Sequence, residues 1–127
     1  IIEIDEGQHR RYSESCELQR LLEIVNASGG IPVLVFRYNP DSFKRNGMTA
    51  NVTQAARLVL LRERIERRVA TVLRRIRNDT SRTKGLVLSL LYIEYLFFDR
   101  DNSFGDDVVI RSYTDDKQIA RAILKCV

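Results

Sequence analysis

Two carboxylates and a histidine carry the sharpest chemical signal in the chain. Glu3 and Asp5 stand at alternate positions of Ile1-Ile2-Glu3-Ile4-Asp5-Glu6-Gly7-Gln8-His9, and His9 is the one histidine among 127 residues. Alternation of isoleucine with acid predicts a strand over Ile1–Asp5 that leaves the sheet at Gly7, with the acids on one face and the isoleucines on the other. Carboxylates at i and i+2 of a strand lie roughly 6–7 Å apart. Packed into a sheet they repel each other and are costly to desolvate. A divalent cation that prefers hard oxygen ligands removes both penalties. Glu3 and Asp5 are therefore candidate ligands for a divalent metal ion. His9, just past the strand, is placed to accept or return a proton or to orient a water. An edge strand with a solvated acidic face accounts for the same alternation, and His9 is then an ordinary exposed side chain.

The elements that must hold these groups follow from periodicity. Leu18, Leu21, Leu22 and Val25 fall on one face of a helix expected over Tyr12–Ser28, capped by Ser13 or Ser15 and ended by Gly29-Gly30. Ile31–Tyr38 is apolar almost throughout and reads as a strand buried on both faces. Asn39-Pro40-Asp41 is a turn that could place Asp41 near the C-terminal edge of the sheet, though capping the segment that follows is the plainer reading, and Lys44–Thr49 is a loop. A long helix is expected over Asn51–Arg77, capped by Asn51 or Thr49. Its apolar stripe is Leu58, Leu61, Ile65, Val69, Val72 and Ile76. A basic linker, a strand over Leu86–Asp99, a loop, a short strand over Val108–Tyr113 and a last helix opened by Asp115-Asp116 complete the order. Tyr92, Tyr95, Phe97 and Phe98 could stack on bases, but on a strand this apolar they read as core. The fold class is α/β, a mixed central sheet with flanking helices. The chain reads as one domain: a βαβ unit in residues 1–43, a long basic helix in 51–77, and C-terminal strands and helix in 86–127.

Four separated pieces, in order, carry a resemblance. They are Ile2-Glu3-Ile4-Asp5-Glu6-Gly7-Gln8-His9, then Glu17 and Arg20 on a helix, then Gly29-Gly30, then Val33-Leu34-Val35-Phe36-Arg37. Over about a third of its length the chain resembles the restriction-endonuclease-like PD-(D/E)XK superfamily, and most closely the very-short-patch-repair-like endonucleases and their relatives. The resemblance implies a restriction-endonuclease-like core and hydrolysis of a phosphodiester bond with Mg²⁺ or Mn²⁺ as the metal. Asp5 would be the principal metal ligand and Glu3 the auxiliary one; His9 would act on the attacking water or leaving group, with Gln8 assisting. Glu17 and Arg20 would lie on the helix behind the site, where an intrahelical ion pair is the plainer reading of Glu17. Two departures stand out: Glu6 replaces the family glycine, with Gly7 one place later, and the superfamily lysine is Asp5, as in the very-short-patch-repair branch. Because Ile1 already lies inside a strand, the N-terminal part of such a core, with its further acid, is expected upstream.

A second signal lies in the long helix. Arg57, Arg62, Arg64, Arg67, Arg68, Arg74, Arg75 and Arg77 face only Glu63 and Glu66, a surplus larger than the net charge of +4 of the whole chain. The remainder is therefore net acidic. Concentrated arginine suits phosphate, so Arg64, Arg67, Arg68, Arg74 and Arg75, with Arg20, are candidate nucleic-acid contacts; a solvated helix face is the alternative. The expected partner is DNA, with RNA next. The apolar stripe serves a core or a homodimer equally well. Cys16 and Cys126 lack the spacing of a zinc ribbon. No membrane-length apolar run or phosphate-cradling glycine loop is seen. An intracellular setting, nuclear or cytoplasmic, is expected. A degenerate nuclease fold that only binds nucleic acid or protein is the competing function.

Overall fold

The computed structural model describes residues 1–9, 13–79, 89–100 and 107–126. These form a mixed α/β structure with a four-stranded mixed sheet, a small hairpin and three α-helices. The chain divides into two compact units: Val52–Leu88, which holds the long helix, and Ile1–Asn51 with Ser89–Val127, which holds the sheet.

In the sheet unit, β1 (Ile2–Ile4) leads through α1 (Glu14–Ala27) to β2 (Val33–Tyr38), and the two strands pair in parallel. This is the expected βαβ connection. Ser13 caps α1, its hydroxyl accepting from the Cys16 N–H at 3.3 Å. β5 (Leu91–Leu96) lies parallel on the other side of β2, and β6 (Val108–Tyr113) closes the order β1-β2-β5-β6 antiparallel to β5. The strand expected over Leu86–Asp99 is shorter because the Phe97 backbone is left-handed, at φ 65°, and leaves the ladder; residues 86–88 lie outside the described residues. The loop expected over Lys44–Thr49 is a hairpin of β3 (Lys44–Arg45) and β4 (Met48–Thr49). Its two turn residues, Asn46 at φ 53° and Gly47 at φ 76°, are both left-handed. That is the geometry an Asn-Gly pair favours between antiparallel strands.

Side chains on one sheet face run in rows set by register. Val33 pairs with Leu91 and Val35 with Ile93. These four pack with Leu18, Leu21 and Val25 of α1 and Ile119 of α3 (Asp116–Lys125) as a buried cluster. The next row, toward the C-terminal ends of the parallel strands, changes character: Glu3 pairs with Arg37, Arg37 with Tyr95, and Tyr95 with Val109. Apolar rows hold the sheet to its helices, and the polar row sits at the carboxyl ends, where open α/β sheets place their ligands.

Asp115 caps α3, its side chain accepting from the Gln118 N–H at 2.8 Å. Asp115→Ala removes that acceptor and a favourable charge at the helix N-terminus. It is expected to lower stability by about 1 kcal/mol, read as a shift in urea midpoint at unchanged m-value.

The second unit is dominated by α2 (Gln54–Asp79). It begins later than expected, and Thr53 rather than Asn51 or Thr49 caps it, accepting from the Ala56 N–H at 3.2 Å. The Val52 carbonyl just before it is held by Arg57 Nε at 3.1 Å. At 100° per residue, Arg64, Arg67, Arg68, Arg74 and Arg75 fall within an arc of about 120°, and the apolar stripe lies beside it. Arg67 and Arg74 are exposed, and Arg62 pairs with Glu66 at 3.3 Å on the outside of the helix. No described helix is long and apolar enough to cross a membrane.

Candidate active site

The polarity of β1 is the reverse of an ordinary edge strand. Ile2 and Ile4 are 57% and 66% exposed, whereas Asp5 is fully buried and Glu3 half-buried. The acids point to the face that carries α1. A solvated acidic face, the plainer expectation for this strand, is not what forms. Burying two carboxylates side by side is costly unless a cation meets them.

Here a cation does meet them. Arg37 Nε lies 2.5 Å from Asp5 Oδ2 and 3.7 Å from Glu3 Oε2. Arg37 itself is only 4% exposed. α1 supplies the remaining partners. Glu17 Oε2 lies 3.7 Å from an Arg37 terminal nitrogen, and Arg20 donates to Glu17 at 3.1 Å and to Glu3 Oε1 at 2.7 Å. Glu17 is thus more than the partner of an intrahelical pair; it also faces Arg37 on β2. Arg20 turns toward the carboxylates. Burial works against the charge on Arg37, and the hydrogen bond and charge of Asp5 outweigh it, holding the guanidinium above its ordinary value. Burial pushes the Tyr95 phenol up, against the pull of Arg37, so the phenol is neutral at physiological pH.

Beyond Asp5 the chain makes a tight left-handed step, with Gly7 at φ 62° and Gln8 at φ 57°. Gly7 suits that conformation without strain; Gln8 does not. Side chains from two other loops hold the step. Asp41 Oδ2 accepts from the Gly7 N–H at 2.7 Å. Gln8 and Asp99 bond reciprocally: Gln8 Nε2 donates to Asp99 Oδ1 at 3.0 Å, and the Asp99 N–H donates to Gln8 Oε1 at 2.7 Å. Asp99 also accepts from the Lys44 N–H at 2.7 Å. The left-handed Phe97, whose carbonyl is held by Asn39 Nδ2 at 2.7 Å, turns the chain so that Asp99 arrives there. Both ends of the Gln8 amide are therefore engaged in fixing the turn. Asp41 thus accepts from the N–H of Gly7, far back in sequence, at the C-terminal end of β1. The His9 backbone belongs to this turn, and its side chain lies outside the described residues.

Among the described residues no three His, Cys, Asp or Glu side chains converge closely enough to hold a metal ion. The donor chemistry nonetheless fits a hard divalent cation. Two carboxylates converge on one cationic atom, and Glu3 Oε2 is buried without a hydrogen-bond partner among the described residues. Mg²⁺ needs only one or two protein carboxylates, with waters and phosphate oxygens completing its shell.

The structure thus brings Glu3, Asp5 and Arg20 together, sets Gln8 as the clamp of the adjoining turn, and adds Arg37 and Asp99, which sequence reasoning did not place in the site. The signal for Arg37 was present: an arginine inside Val33-Leu34-Val35-Phe36-Arg37-Tyr38 must be paired if that strand is buried. Asp99 carried no such signal, because its role depends on a turn 91 residues away. The candidate contacts Arg64, Arg67, Arg68, Arg74 and Arg75 all lie on α2, in the other compact unit. No protein-family model, curated protein or solved structure matches the chain.

Proposed function

We propose that this chain is a metal-dependent endonuclease domain of restriction-endonuclease-like type that hydrolyses phosphodiester bonds in DNA. The observation that carries the reading is the inward turn of Glu3 and Asp5 at the carboxyl end of a parallel strand, where they share one cation. Asp5 and Glu3 would hold Mg²⁺ or Mn²⁺. When bound, the ion supplies Lewis-acid polarisation of the phosphate. Arg37, released from Asp5, offers forked donors to a phosphate oxygen as charge builds on it. Arg20 keeps Glu3 and Glu17 in place. Gln8, locked to Asp99, positions the turn from which His9 takes or returns a proton.

The arginine arc of α2 is assigned to the DNA backbone. Arg67 and Arg74 are exposed on it. Replacing both with alanine is expected to lower the slope of log K against log[salt] by about 2, since each phosphate contact contributes about 0.9 for duplex DNA. Fluorescence anisotropy across a salt series reads this directly; an unchanged slope removes these two residues from the interface.

The endonuclease reading is tested by incubating supercoiled plasmid with the protein in Mg²⁺ and in EDTA. Nicking in Mg²⁺ alone supports it. Salt-dependent binding with no nicking in Mg²⁺ or Mn²⁺ favours a second reading, a nuclease fold retained as a nucleic-acid-binding module. The internal neutralisation of Asp5 by Arg37 and of Glu3 by Arg20 is the observation that favours that alternative.

A further inference from the structure

A cavity of about 280 Å³ lies on the α1 side of the sheet, at the far end of the row that begins with Glu3. Its floor and walls are Leu18, Leu21, Tyr95, Phe98 and Val109, and Arg37 is shared with the carboxylate cluster. Tyr95 and Phe98 meet edge to face at 5.4 Å, and the guanidinium carbons of Arg37 and Arg111 stand 5.4 and 5.5 Å from the Tyr95 ring centre. Arg111 also pairs with Glu14 of α1, which lines the same cavity.

We propose that this cavity receives one unpaired nucleobase, while the phosphate beside that base meets Arg37, which the cavity shares with the Glu3–Asp5 cluster. The size is at the small end of ligand sites, which run from roughly 300 Å³ upward, so it suits one planar group rather than a large cofactor. Apolar and aromatic walls with polar groups at the rim are what an extruded base needs, because it must stack and also satisfy its hydrogen-bonding edge. Carboxylates and guanidinium groups line the cavity, giving donors and acceptors for that edge. Proximity supplies the second argument. β1 and β5 are two strand spacings apart, roughly 10 Å, and Arg37 on the strand between them touches both places. A base seated in the cavity therefore brings its own backbone toward Arg37, the partner of Asp5. A duplex with every base stacked inside cannot fill the cavity. The inference rests on the nucleic-acid reading above and adds the substrate form, DNA with an unpaired nucleotide at the cut.

The test is binding in EDTA, where no metal-dependent cutting interferes. The probes are a fluorescein-labelled single strand, the same length of backbone carrying abasic sites, and the matching duplex. Base-bearing single strand is expected to bind about 5- to 150-fold more tightly than the abasic strand, the range that stacking one base supplies. Val109→Trp, at a residue 40% exposed on β6, fills the cavity. It is expected to remove that difference and leave abasic binding unchanged. Phe98→Ala, which opens the wall instead, provides the second reading should circular dichroism show Val109→Trp misfolded. Equal binding of base-bearing and abasic strands, or wild-type discrimination in a folded cavity variant, overturns the assignment. Plasmid nicking alongside equal binding sinks the base site and leaves the endonuclease reading intact. Base-dependent binding by a chain that cuts nothing supports the site and counts against that reading.

Discussion

Arg37→Met is expected to cost about 3–5 kcal/mol of folding stability, because it strands a buried carboxylate without its cation. Asp5 is fully buried and lies 2.5 Å from Arg37 Nε. Methionine fills much of the arginine stem but supplies neither charge nor donor. Glu3 and Glu17, each 3.7 Å from the guanidinium, add repulsion once it is gone. Adding Asp5→Asn to Arg37→Met should recover a large part of the loss, since the remaining group is neutral. Urea titrations of the two single variants and the double variant give the coupling. Purely additive losses would mean that Asp5 and Arg37 do not share one electrostatic site.

Asp5→Asn alone is expected to separate activity from stability. It keeps the shape of the side chain and leaves Arg37 near Glu3 and Glu17, so its stability cost should be well below that of Arg37→Met. Its effect on Mg²⁺-dependent cleavage should be far larger, about 10³-fold in kcat, which corresponds to roughly 4 kcal/mol of transition-state stabilisation. Salt-dependent DNA binding should be retained. Wild-type cleavage rates in Asp5→Asn would remove this residue from the chemistry.

The regular elements were legible because each has a period or punctuation of its own. The leucines of α1, the alternation of β1 and the apolar run of β2 each specified element and type, and the βαβ order implied their parallel pairing. Asn46-Gly47 was equally readable, as a hairpin signal, and a loop was expected in its place. The end of β5 was not legible, since nothing about Phe97 as a residue type favours a left-handed backbone; tertiary bonds to Asn39 and to the Asp107 carbonyl hold it there. The site was half legible. Glu3 and Asp5 could be paired by spacing alone. That they point inward, leaving Ile2 and Ile4 outside, depends on Arg37 and Arg20, which stand 32 and 17 residues further along. The clamp of Gly7 and Gln8 by Asp41 and Asp99 is longer in range still, and spacing carries no trace of it.

Manganese titration followed by water-proton relaxation puts the shared cation site to the most direct trial, because it needs neither substrate nor turnover. Wild-type protein should bind one Mn²⁺, and the folded Glu3→Gln/Asp5→Asn variant should bind none. A wild-type chain that stays folded and leaves Mn²⁺ free throughout the titration, or a double variant that binds it as well as wild type, would contradict the assignment of Glu3 and Asp5 as metal ligands.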